Sequence, residues 1–114
     1  HPVIMDVKKV ADMDRFARHI EEFRYHVQDA MYREGAQQTT GGPHGFFFLV
    51  VSETIDCGRY PVRVFELDAP DVDAGHALFR RDLNTYHQCR ESGEWGGFEI
   101  IKRPEWARKQ DMYV

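Results

Sequence analysis

The stretch Pro2-Val3-Ile4-Met5-Asp6-Val7-Lys8 decides how this chain is read. It is a short apolar run that ends in charges, as a strand does where it leaves a core. Strand alternation puts Asp6 and Lys8 on one face and predicts Val7 buried on the other. Downstream, Asp12 stands at an N-cap position before Met13, Phe16, Ile20, Phe23, Val27 and Met31. Intervals of three and four residues make these one helix face. Gly35 is the expected stop, in the usual C′ manner. Ala36 to Gly45, rich in Gly, Gln and Thr, is expected as a surface loop.

Two β-rich runs follow, Phe46 to Glu53 and Tyr60 to Leu67, separated by the turn-forming Asp56-Cys57-Gly58-Arg59. They predict an antiparallel hairpin. Asp68-Ala69-Pro70 starts a helix, with proline placed where its missing N–H costs least. That helix is expected to turn Leu78, Phe79, Leu83 and Tyr86 inward and to stop near Gly93. A tail with Trp95, Phe98-Glu99-Ile100-Ile101, Pro104 and Trp106 is expected to pack back over the core. The order is β-α-β-β-α plus a tail, an α/β unit with no internal repeat and no linker. The chain opens inside a strand, so an N-terminal portion is expected to be missing or to be another chain. His1 is set aside as a terminal remnant.

A chain of 114 residues suits one small domain or part of one, and 42% hydrophobic with 13% aromatic content supports a packed core. No apolar run approaches the roughly 20 residues of a membrane span, and no secretory signal opens the chain. Lys+Arg number 15 against Asp+Glu 19, a net charge of −4, which is not the global signature of a nucleic-acid binder. A basic groove can nevertheless coexist with an acidic exterior. Cys57 and Cys89 match no zinc spacing and read as reduced thiols of a cytoplasmic protein.

The first chemical cluster is Asp6-Val7-Lys8. A carboxylate beside an ammonium at a strand end can serve phosphodiester hydrolysis. The carboxylate holds a hard cation, and the lysine orients or deprotonates water and offsets charge on the phosphate. A bare Asp-x-Lys occurs by chance in many proteins and by itself reads as an ordinary salt-bridged pair where a strand leaves the core. The second cluster is Gln28-x-x-x-Tyr32, one helical turn apart on one face. By itself it reads as a helix-border glutamine and a packed tyrosine.

Together the clusters resemble motifs II and III of the RecB-like branch of the PD-(D/E)XK nucleases. Longer strings resemble the RecE (exonuclease VIII) family: Ile4-Met5-Asp6-Val7-Lys8, Arg24-Tyr25-His26-Val27-Gln28-Asp29-Ala30, Ile55 to Val62, Cys89 to Trp95, and Pro104-Glu105-Trp106-Ala107. The resemblance implies that residues 1–114 form the C-terminal part of a single nuclease domain of restriction-endonuclease-like fold. It implies Asp6 as the metal-binding acid, the Val7 carbonyl completing the metal shell, and Lys8 as the catalytic lysine. Gln28 and Tyr32 match the helix motif that positions the site and the DNA end. The implied cofactor is Mg²⁺, with Mn²⁺ as a substitute. The implied activity is 5′-to-3′ digestion of linear double-stranded DNA, leaving a 3′ single strand in a phage- or prophage-type recombination system. Implied partners are duplex DNA ends, further subunits in a homo-oligomeric ring, and a single-strand annealing protein.

The sequence departs from that family twice. Lys9-Val10 stand where the family usually has Thr-Thr, so Lys9 is either a DNA-backbone contact or a solvated charge. The family's other metal-binding carboxylate lies upstream of this strand, so the upstream half of the domain or a second chain is expected to supply it. With one carboxylate the cation is weakly held, and these residues alone are expected to be nearly inactive.

The remaining candidates read more plainly. His19, His26, His44, His76 and His87 show no ligand spacing. Glu53 reads as a solvated strand end. Arg80-Arg81, Lys102-Arg103 and Arg108-Lys109 could meet phosphates but are more often solvated. Trp95 and Trp106 are placed in the packing segment rather than on bases. An iron–sulfur cluster of the Cas4 type needs four cysteines, and the chain has two. The alternative to an enzyme is a non-catalytic DNA-binding or assembly module of the same fold.

Overall fold

The structure is a computed structural model and describes residues 2–113; His1 lies outside them. Strand β1 (Val3–Val10) leads through a 3₁₀ turn (Met13–Arg15) into helices α1 (Phe16–Phe23) and α2 (Tyr25–Thr40). Strands β2 (Gly45–Ser52) and β3 (Val62–Phe65) follow, then the long helix α3 (Ala69–Ser92) and the short α4 (Glu105–Gln110). β2 lies in the middle of the sheet, parallel to β1 and antiparallel to β3. This is the expected α/β order, with the first helix split in two.

The core forms because β2 alternates. Phe46, Phe48 and Val50 point to the helix-covered face and are fully buried. Phe46 and Phe48 meet edge to face at 5.0 Å, and Phe16 of α1 packs against Phe48 at 5.5 Å and Phe65 at 5.3 Å. Val10 completes this cluster. Val7, expected to be buried, is 62% exposed on the opposite face, beside exposed Val3, Met5, Val62 and Val64. The helices cover only one side of the sheet, so strand alternation placed Val7 correctly opposite Asp6 but not in a core.

The hairpin is as expected. Asp56 and Arg59 exchange backbone hydrogen bonds of 2.8 and 3.2 Å, with Cys57 and Gly58 both at positive φ, 52° and 79°. Those two dihedrals make a type I′ turn, whose twist matches the flanking strands. Asp68 Oδ1 accepts from the Asp71 N–H and caps α3, and Gly93 ends it at φ 74°.

The first helix departs from expectation. Asp12 caps the 3₁₀ turn, accepting from the Asp14 N–H at 3.0 Å. Arg24 then adopts a left-handed conformation (φ 56°, ψ 43°), ending α1 and starting α2. This break rotates the helix, so that His26, Asp29 and Ala30 are buried while Phe23 and Met31 of the expected stripe are exposed. α2 also runs through Gly35 to Thr40, and Gly41 at φ 82° is the residue that stops it. The Thr39 and Thr40 hydroxyls donate to carbonyls one turn back, at 2.8 and 2.7 Å, and hold a last turn that composition alone assigned to a loop.

α3 packs on α2 through its first half only. Leu83 and Tyr86, expected inward, are exposed, as are Trp95, Ile100, Ile101 and Trp106, and Phe98 is 94% exposed. The tail therefore does not fold back over the core. The described residues spread over 61 × 53 × 23 Å with a radius of gyration of 20.1 Å, against about 13 Å for a rounded domain of about 100 residues.

The α2–α3 contact has its tightest point at Gly75, where an added Cβ would lie 2.1 Å from the His26 carbonyl oxygen. Backbone cannot yield there without parting the helices. Gly75→Ala is expected to destabilise the protein by about 1–3 kcal/mol, the usual range for overpacking. The check is its urea unfolding midpoint, and an unchanged midpoint would contradict the close approach.

Candidate active site

Alternation along β1 turns Ile4, Asp6, Lys8 and Val10 toward the helices. Asp6 and Lys8 stand side by side there, with Lys8 Nζ 2.8 Å from Asp6 Oδ2 and side chains only 21% and 17% exposed. The contact is an ion pair on a buried carboxylate oxygen. Lys8 Nζ also lies over the ring of Tyr25, 4.2 Å from its centroid.

Gln28 and Tyr32 pair with one another on α2. Gln28 Nε2 donates to the Tyr32 hydroxyl at 3.0 Å, while Gln28 Oε1 is buried and accepts nothing. Tyr25, at the start of α2, touches Lys8; Tyr32 lies against Phe46, the register partner of Ile4. α2 thus meets Lys8 through Tyr25 and the central strand through Tyr32, while Gln28 and Tyr32 make no direct contact with Asp6 or Lys8 among the described residues. Tyr25 is the residue that motif reading passed over, because a single tyrosine in a helical run carries no spacing signal.

The backbone of β1 is informative too. Gly45 donates to the Pro2 carbonyl and Glu53 to the Val10 carbonyl, so even-numbered carbonyls of β1 point at β2. The Val7 carbonyl points the other way, to the open edge of the sheet. Lys9, the candidate DNA contact, projects to the face away from Lys8, 73% exposed, and pairs with Glu53 at 3.3 Å.

These groups fit a hard divalent cation. Such an ion takes oxygen ligands, and Mg²⁺ needs only one or two carboxylates beside water and substrate phosphate. Asp6 offers a carboxylate whose Oδ2 is paired with the Lys8 ammonium, and the Val7 carbonyl is not engaged by β2. Among the described residues no three His, Cys, Asp or Glu side chains cluster as a closed metal site. Of the basic pairs, Arg80 is bound to Glu34, Arg81 to Asp82 and Arg103 to Asp111. Those three are structural ion pairs rather than free phosphate contacts. No helix among the described residues is long and apolar enough to cross a membrane.

The chain is thus a mixed α/β unit with Asp-x-Lys on β1 and Gln-x-x-x-Tyr on α2. Residues 2–99 match the model of the family described as the PDDEXK-like domain of unknown function (DUF3799), and the chain belongs to that family. This places it in the PD-(D/E)XK nuclease superfamily, without singling out RecE. No curated protein matches the chain. Among solved structures it is similar to a protein from Eubacterium rectale whose exonuclease assignment is itself provisional, with a TM-score of 0.65 at 14% identity. The match covers 98% of this chain and 48% of that one, so the chain spans about half its length. At that identity the likeness is one of fold.

Behind the site sits a second buried acid. Asp29, one residue from Gln28, is fully buried; its Oδ1 accepts from Arg33 Nε at 2.5 Å, and Arg33 reaches on to the His44 carbonyl at 3.4 Å. This chain of contacts ties α2 to the start of β2. Burial pushes the Asp29 carboxyl above its ordinary value of 3.8, Arg33 opposes the shift, and Glu66 adds to it. The folded state therefore holds this proton more tightly than the unfolded chain. Asp29 should contribute stability that is complete below pH 3.8 and is lost as pH rises through the raised value. The wild-type advantage over Asp29→Asn is expected to grow as pH falls through that window. Urea titrations at a series of pH values check it, and an advantage that grows with rising pH would contradict it.

Proposed function

We propose that this chain carries the Asp-x-Lys half of the active site of a metal-dependent DNA nuclease that digests linear duplex from its ends. The observation that supports it most is the pairing of Asp6 with Lys8 on the half-buried face of β1, Nζ to Oδ2 at 2.8 Å. Asp6 and the Val7 carbonyl would hold Mg²⁺ or Mn²⁺, which when bound supplies positive charge to the scissile phosphate and lowers the pKa of water.

The chain's own groups have separable tasks. Lys8 directs its ammonium at the position where an attacking water meets the phosphate, orients that water, and offsets the developing charge. Gln28, whose amide donates to the Tyr32 hydroxyl, would help position the site and the DNA end. Sequestering these groups under α2 strengthens each electrostatic contact by lowering the local dielectric. The strings shared with RecE support exonucleolytic digestion in the 5′-to-3′ direction, ring assembly, and hand-over of the 3′ strand to an annealing protein. A second carboxylate would come from residues upstream or from another chain.

One observation favours the rival reading, a non-catalytic DNA-binding or assembly module: among the described residues no three His, Cys, Asp or Glu side chains group as a metal site. A single assay separates the two. The whole protein that carries this chain is incubated with linear and closed circular duplex, with Mg²⁺ and with EDTA. Digestion of the linear form alone, only with Mg²⁺, is expected. Asp6→Asn and Lys8→Ala are each expected to reduce it at least about 10²-fold, the scale of a lost transition-state contact, with the melting temperature retained. Variants as active as the parent would remove both residues from the chemistry.

A further inference from the structure

We infer that Tyr25 is a positioning residue for Lys8, an inference that rests on the nuclease reading above. Lysine is a poor candidate for precise placement unaided, because its charge rides on a flexible four-carbon stem. Asp6 holds it from one side, at 2.8 Å. The Tyr25 ring supplies a second constraint. Its centroid lies 4.2 Å from Lys8 Nζ, well inside the range in which the negative face of an aromatic ring attracts a cation. The ring itself is immobilised, with Phe16 at 5.9 Å, Phe23 at 5.8 Å and Phe48 at 5.9 Å. Lys8 is thus held between a carboxylate and a packed π face.

The fold goes out of its way to put that ring there. On an unbroken helix Tyr25 would lie roughly 200° around from Phe23, on the side away from the Phe16–Ile20–Phe23 stripe. The left-handed step at Arg24 brings it onto the sheet instead. Arg24 is a non-glycine residue in a region that L side chains adopt at a cost. Its N–H caps Ile20 of α1, its carbonyl accepts from Val27 and Gln28 of α2, and its guanidinium meets Asp82 of α3 at 3.5 Å. Three elements thus hold a backbone conformation whose local product is the seat of Lys8.

The test uses two readouts. In the first, the ε-methylene protons of Lys8 are followed by NMR; ring shielding is expected to move them upfield, the shift persisting in Tyr25→Phe and vanishing in Tyr25→Leu. A Lys8 signal at the free-lysine position in the parent overturns the seat. In the second, digestion of linear duplex by the whole protein is measured for Tyr25→Phe, Tyr25→Leu and a series of fluorinated phenylalanines at position 25. Fluorine weakens the negative ring face while keeping its shape, so a merely structural role would leave the series flat. We expect kcat near the parent in Tyr25→Phe, about tenfold lower in Tyr25→Leu, and falling stepwise with fluorination, with KM and melting temperature unchanged along the fluorinated series. A flat series, with Lys8→Ala still inactive, overturns the role of Tyr25 and leaves the nuclease reading intact. Activity that survives Lys8→Ala, or no digestion by the unaltered protein, overturns that reading and the role with it, and the NMR shift then bears on the seat alone.

Discussion

The edge-to-face contact of Phe46 with Phe48 in the central strand is what the rest of the arrangement stands on. Both rings are wholly buried, and every element near the site is located by touching one of them. Phe48 receives Phe16 of α1 and Tyr25 of α2, while Phe46 receives Tyr32. Burying two such side chains is worth roughly 1.5–3 kcal/mol each. Their register partners on β1 are Ile4 and Asp6. The aromatic pair therefore sets, at one time, the height of the helix and the height of the acid beneath it.

Much of this was legible locally. The alternation of β2, the turn at Asp56–Arg59 and the Asp68 cap each depend on neighbours in sequence, and each appears where the residues put it. Asp6 and Lys8 sharing a face follows from strand period alone. The Gln28–Tyr32 pair survives the helix break because both residues lie after it. The break itself was invisible. The apolar stripe from Met13 to Met31 continues in phase through Arg24, and arginine does not announce a left-handed conformation as glycine would. The same continuity hid Tyr25, which becomes part of the site only through that step. Gly35 and the Gln- and Thr-rich run after it misled because α2 is held by Arg33, Glu34 and the threonine hydroxyls, contacts that composition does not report. The tail misled for the opposite reason: Phe98 and Trp106 have the composition of a core but stay exposed, and Trp95 meets only Tyr86 of α3 rather than the sheet.

The charge balance also takes on a different sense in three dimensions. A net charge of −4 argued against a DNA-cutting protein. Several of the acids are engaged inside the fold or between its helices: Asp29 with Arg33, Glu34 with Arg80 and His76, Asp82 with Arg24 and Arg81. Net charge is thus a weak guide to what a partner meets at Asp6, where the one nearly buried carboxylate is already flanked by an ammonium. That placement matters more for phosphate chemistry than the sum over the surface.

The account turns on whether Asp6 is a cation ligand or an idle half of a salt bridge. Titrating the chain with Mn²⁺ and following paramagnetic broadening of its NMR signals decides this most directly, because broadening reports even weak binding and depends on distance from the ion. Broadening centred on Asp6, Val7, Lys8 and the Gln28 side-chain amide, and lost in Asp6→Asn, is the predicted result. Broadening spread over the exposed acids of α1 and α3, with Asp6 and Gln28 untouched, would contradict it.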